Sequence, residues 1–128
     1  MAEEKKKRIL IIEDNRELSM LEEKVLQKSG YDVFRAYSAQ EGIDLAVKEV
    51  PDLIIMDIRL PYKKKGIGAA RIIRDNERTS GIPILFVTGY AEGEDTAEIG
   101  HIPHCGYLVK PFDVEVFLEE IKKCMGIG

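Results

Sequence analysis

Three carboxylates, a hydroxyl and an ammonium stand at the ends of short apolar runs. Glu13 and Asp14 follow Ile9-Leu10-Ile11-Ile12, and Asp57 follows Leu53-Ile54-Ile55-Met56. Thr88 follows Pro83-Ile84-Leu85-Phe86-Val87, and Lys110 follows Tyr107-Leu108-Val109. If these runs are parallel strands of one open sheet, their ends share the edge where ligands bind. Three acids in one small volume raise one another's pKa and oppose folding unless positive charge intervenes. One lysine cannot balance them, whereas a hard divalent cation can. Mg²⁺ takes about six oxygens, usually from one or two carboxylates, waters and a phosphate. A carboxylate meeting a phosphoryl group there can act as nucleophile and form an aspartyl-phosphate. Lysine and Mg²⁺ would neutralise the phosphoryl oxygens, and the threonine hydroxyl would hydrogen-bond one of them.

The pattern of elements supplies such an edge. The runs named above, with Asp32-Val33-Phe34-Arg35-Ala36, make five strands. Three are nearly continuous in Ile, Val, Leu and Phe, as suits strands covered on both faces. The run at Asp32 alternates more and belongs nearer an edge. Between the runs lie amphipathic segments. From Arg16 to Ser29, Leu18, Leu21 and Val25 share a face, and Gly30 stops the helix. Met20 and Leu26 need no role beyond packing. Ser38-Ala39-Gln40-Glu41 is a capping box, followed by a face of Ile43, Ala46, Val47 and Val50 that Pro51 ends. Ala70 and Ile73 mark a helix over Ile67 to Arg74. Asp113 caps a last helix in which Val114, Phe117, Leu118, Ile121 and Met125 face inward. The stretch from Gly89 to Gly106, rich in glycine, allows only a short helix around Glu94 to Ile99. Five alternations of strand and helix read as a doubly wound α/β sheet with right-handed crossovers.

Composition bounds the rest. The 128 residues are 45% hydrophobic and 33% charged with net charge −4, which excludes a disordered chain and opposes general nucleic-acid binding. No apolar run nears the ~18 residues that span a bilayer. The run after the charged start is too short for a signal peptide, so a cytoplasmic location is expected. Residues 1–128 read as one domain, with 1–7 a charged tail. Cys105 and Cys124 fit no zinc or redox spacing and read as two free thiols in a reducing compartment. His101, His104 and Cys105 lack a fourth metal partner. The lysines at 63 to 65 read as a solvated loop.

The residues also carry a family resemblance. Ile11-Ile12-Glu13-Asp14, the segment from Pro51 through Asp57 to Pro61, Ile82 through Thr88 to Tyr90, and Gly106 through Lys110 to Asp113 stand in order with matching gaps. Together they resemble the receiver domain of two-component response regulators, over nearly the whole chain. The resemblance implies a flavodoxin-like sheet with strand order 2-1-3-4-5 and about five helices. It implies a phosphorylation-dependent signalling domain rather than an enzyme that turns over a metabolite. Its phosphoryl donor would be a sensor histidine kinase or histidine phosphotransfer protein, and its downstream effector is unspecified. By position, Asp57 is the phosphoacceptor, and Thr88 and Lys110 bind phosphoryl oxygens. Asp14, Asp57 and the Arg59 backbone carbonyl bind Mg²⁺ directly, and Glu13 acts on the metal through water. Tyr107 takes the aromatic switch position beside Thr88. The Lys110-Pro111 bond is implied to be cis.

The chain departs from the family pattern in four places, three of them outside this set of residues. Glu13 stands where Asp is more usual. Tyr62-Lys63-Lys64-Lys65-Gly66 replaces a loop with an acidic residue, and Gly68 stands where Glu is usual. Ile99 to Cys105 replaces an Ala- and Leu-rich helix end. Two other readings compete. A pseudo-receiver that keeps only the fold is opposed by the intact set of five residues. A small Mg²⁺-dependent phosphatase usually places a second Asp two residues after its nucleophile, where this chain has Arg59. Singly, Asp14 could be a helix cap for the segment at Arg16, and Thr88 an ordinary end of a strand.

Overall fold

A computed structural model of the chain describes residues 6–58, 65–89 and 100–127. In chain order the described elements are β1 (Arg8–Ile12), α1 (Arg16–Lys28), β2 (Asp32–Ala36), α2 (Ala39–Glu49), β3 (Leu53–Asp57), α3 (Lys65–Asp75), β4 (Ile84–Thr88), β5 (Gly106–Val109) and α4 (Val114–Met125). All pairings are parallel, in the order β2-β1-β3-β4-β5. The implied order is therefore observed, and the alternating run at Asp32 is an edge strand. The described residues hold four helices. The short helix expected around Glu94 to Ile99, with Arg59, Lys63, Lys64 and Tyr90, lies outside them.

Alternation along the strands divides the core in two. Leu10, Ile12, Ile54, Met56, Ile84 and Phe86 pack on one side with Ala46, Ala70 and Ile73 from α2 and α3. Ile9, Ile11, Leu53, Ile55, Leu85 and Val87 pack on the other with Leu26 of α1 and Phe117 and Ile121 of α4. The central strands β3 and β4 are buried throughout.

Helix starts follow local chemistry. Asn15 caps α1, its side chain accepting from the Leu18 N–H at 3.0 Å. Ser38 Oγ accepts from the Glu41 N–H, while Glu41 reaches past the cap to accept from the Tyr37 N–H at 2.7 Å. Asp113 occupies the cap position of α4 but makes no side-chain capping bond, contrary to expectation. Phe112, just before the cap, stacks on Phe117 at 5.3 Å, and this hydrophobic staple fixes the entry angle instead.

Three further expectations need correction. The buried stripe of α1 is Ser19, Glu22 and Leu26, one position on from the expected Leu18, Leu21 and Val25. Leu21 is 59% exposed, and Met20 is exposed as well. The path by which the chain leaves β1 sets the rotation of α1, and apolar spacing does not encode that path. Val114 is exposed at the start of α4, while Phe117 and Ile121 carry its buried face. Finally, Cys105 and Cys124 are joined in a disulfide with Cα atoms 5.1 Å apart, so they are not two free thiols. The crossover returns the end of α4 beside the start of β5, a proximity that a separation of 19 residues conceals.

Candidate phosphoryl and metal site

The ends of β1, β3, β4 and β5 bring the expected residues to one edge. Glu13 follows β1 and is buried, Asp14 beside it is exposed, and Asp57 ends β3 at 4% exposure. One carboxylate oxygen from each of Glu13, Asp14 and Asp57 lies within 4.8 Å of the others. Lys110 Nζ reaches over this group, 2.6 Å from Glu13 Oε1 and 3.5 Å from Asp57 Oδ2. Glu13 Oε2 accepts from the Asn15 N–H at 3.2 Å. Both Glu13 oxygens are thus engaged. Because Asn15 caps α1, Asp14 is not needed as a helix cap and stays at the open mouth of the site.

The electrostatics match this crowding. Burial first, then a side-chain hydrogen bond with Asp57, pushes the Glu13 carboxyl up to about 8 against the pull of Lys110. Burial works against the Lys110 charge, but the Glu13 hydrogen bond and the fields of Asp57, Glu13 and Glu22 outweigh it and raise its pKa. A compact set of hard oxygen donors with excess negative charge and an open side fits a divalent cation of the Mg²⁺ kind.

Thr88 ends β4 fully buried, and its carbonyl accepts from the Lys110 N–H at 2.7 Å. Phe86 pairs with Tyr107 and Thr88 with Val109, so Tyr107 and Thr88 are diagonal neighbours on one face. Tyr107 is half-buried against the core there. The Lys110-Pro111 peptide is cis, as the resemblance implied. Arg59 lies outside the described residues, so its carbonyl is not part of this geometry.

His104 and Cys105 do not form a metal centre. His104 Nδ1 lies 2.7 Å from the Ile102 carbonyl, its ring packs edge-on to Phe86, and the Cys105 sulfur is in the disulfide.

Two residues near the site escaped the sequence reading. Gly66, near the start of α3, lies so close to the end of β3 that an added Cβ would overlap the Asp57 carbonyl oxygen. The glycine is legible in sequence, but the approach is not. Glu22 is only 5% exposed, and neither carboxylate oxygen has a hydrogen-bond partner among the described residues. Burial raises its pKa to about 7, with Lys110 pulling it down and Asp57 pushing it up. Only the rotation of α1 could have revealed it.

Known proteins resemble this chain in sequence and fold. The sequence profile of the response regulator receiver domain matches residues 9–122. The polar-differentiation response regulator DivK of Brucella ovis is 38% identical over 121 residues, covering 94% of this chain and 97% of DivK. A CheY-like receiver domain protein from Methanospirillum hungatei JF-1 superposes with a TM-score of 0.89 at 29% identity, covering 95% of both chains. The receiver domain of a sensor histidine kinase from Pseudomonas aeruginosa PAO1, solved with magnesium coordinated in its active-site cleft, superposes at 0.86 with 29% identity, covering 95% of this chain and 99% of that one. With its sheet order, its strand-end acids and these likenesses together, the chain belongs to the response regulator receiver domain family.

Proposed function

We propose that residues 1–128, with 1–7 a charged tail, form one receiver domain in which Asp57 accepts a phosphoryl group from a phosphohistidine. The donor would be a sensor histidine kinase or a histidine phosphotransfer protein. The observation that carries this reading is the buried Asp57 carboxylate, grouped with Asp14 and Glu13 and 3.5 Å from Lys110 Nζ. An Asp57 oxygen attacks phosphorus, the phosphorus–nitrogen bond breaks, and the imidazole leaves with its electron pair. Mg²⁺, held by Asp14 and Asp57, would neutralise charge on the transferring group. Glu13 orients the site through its bonds to Lys110 and the Asn15 N–H. Lys110 swings from Glu13 toward a phosphoryl oxygen, and Thr88 donates its hydroxyl to another. The Arg59 carbonyl would complete the metal ligands.

Movement of Thr88 toward the phosphoryl group vacates space that its diagonal neighbour Tyr107 can enter. Burying the ring is favourable by about 25 cal/mol per Å², so a modest bias moves the equilibrium. The chain acts chemically only on itself, gaining and later losing the group. No described helix is long and apolar enough to cross a membrane, and a cytoplasmic location suits a kinase partner. Transfer of phosphate to Asp57, abolished by Asp57→Asn, is the test.

A further inference from the structure

The disulfide joins the residue before β5 to the last turn of α4. The loop it closes contains Tyr107, Lys110, Pro111 and the Phe112–Phe117 staple. It therefore encloses one phosphoryl ligand and the switch residue of the reading above. Its strand, β5, is an edge strand held by β4 alone, so it resists displacement less than β1 or β3.

Contacts independent of the disulfide also hold its two ends together. Gly106 lets α4 approach closely, since a Cβ there would stand 3.0 Å from Glu120 Oε2 and Leu85 Cδ1. That approach brings Cys124 to Cys105. In the absence of the bond, α4 is still anchored by Phe117 and Ile121 in the core. The Cys105 N–H donates to the Ile84 carbonyl at 2.9 Å, and the Cys105 sulfur lies 3.3 Å from the same oxygen. That carbonyl can accept the S–H of the reduced form, so reduction leaves the Cys105 thiol with a partner. Cys105 is exposed and Cys124 half-buried, within reach of a small disulfide reagent. Accessible disulfides are the exchangeable ones.

We infer that Cys105 and Cys124 form a reversible redox modification site, a clamp on β5 closed by exchange with a low-molecular-weight disulfide of the glutathione kind. One cysteine thiolate attacks the glutathione disulfide and expels one glutathione thiolate, leaving a mixed disulfide. The second cysteine thiolate attacks the protein sulfur and expels the other. The two cysteines are oxidised and one glutathione disulfide is reduced to two thiols, the expelled glutathione thiolates taking up the two protons that the cysteine thiols lose. The redox chemistry stands independently of Asp57, whereas its effect on signalling rests on the roles given to Lys110 and Tyr107.

The test equilibrates the full chain in glutathione buffers of graded ratio. Alkylation and peptide mapping count the 105–124 bond, circular dichroism follows the fold, and amide exchange compares the two states. The expected result is a titratable bond, a folded reduced form, and altered exchange from Gly100 through Lys110, with Cys105→Ser showing the reduced pattern in every buffer. Phosphorylation by a small phosphodonor should differ between states by about fivefold. A bond that never forms, one whose reduction unfolds the chain, or exchange changes confined to the cysteines' neighbours would each overturn the inference. If neither state accepts phosphate, the Asp57 reading fails, while the amide comparison still decides the clamp.

Discussion

Lys110 Nζ lies 2.6 Å from Glu13 Oε1 and 3.5 Å from Asp57 Oδ2. The ammonium is bound to a buried glutamate and only near Asp57, the proposed acceptor. It is poised to change partner when new negative charge arrives. Replacing it should slow phosphorylation of Asp57 by about 10²-fold, the scale of losing one preorganised electrostatic group. Initial rates with a small phosphodonor, wild type against Lys110→Ala, measure this. An unchanged rate would remove Lys110 from the phosphoryl site.

Cation removal should destabilise the protein through the acid group of Glu13, Asp14 and Asp57. At a Mg²⁺ concentration ten times Kd, binding to the native state adds about 1.4 kcal/mol. Thermal unfolding with Mg²⁺ against a chelator should show that gain, and Asp14→Asn should lose most of it. Equal midpoints with and without Mg²⁺ would deny a specific site.

Glu22 is a buried acid with raised pKa and no hydrogen-bond partner among the described residues. Its folded pKa of about 7 exceeds the ordinary 4.5, so the folded state holds the proton more tightly than the unfolded state does. Stability therefore falls as pH rises from about 4.5 to about 7, and the full penalty applies above that window. The shift corresponds to a penalty on the order of 3 kcal/mol. Glu22→Leu should become more stable relative to wild type as pH rises, with the advantage levelling above neutrality. Denaturant unfolding at graded pH reads this difference. A constant difference between pH 5 and 8 would show that Glu22 does not titrate there.

Two nearby glycines of α3 should respond in opposite directions. A Cβ on Gly66 meets the Asp57 backbone, whereas one on Gly68 meets open space. Gly66→Ala should destabilise by about 1–3 kcal/mol, the cost of overpacking, and weaken phosphorylation by shifting Asp57. Gly68→Ala should stabilise by about 0.5–1 kcal/mol through helix propensity. Urea midpoints of the two variants settle it, and a stabilised Gly66→Ala protein would contradict the packing.

What was legible in the sequence is what local pattern encodes. Apolar runs ending in acids, Thr88 and Lys110 gave the strands and the shared edge, because parallel connections force all strand ends to one side. The capping box at Ser38 was visible because its bonds span only a few residues. The rotation of α1 was not, since Leu18-Leu21-Val25 and Ser19-Glu22-Leu26 have the same spacing and only docking selects between them. The disulfide and the Gly66 contact are long-range proximities that no local pattern records. Strand order and the cis Lys110-Pro111 bond came from resemblance rather than periodicity.

The central claim is that Asp57 is the group that receives phosphate. Incubation of the protein with a small phosphodonor and Mg²⁺, followed by intact-mass spectrometry and peptide mapping, addresses it directly. The account predicts a single phosphoryl addition located on Asp57, absent without Mg²⁺ and absent in Asp57→Asn. Equal phosphate uptake by Asp57→Asn, or an adduct on another residue of the wild type, would contradict it.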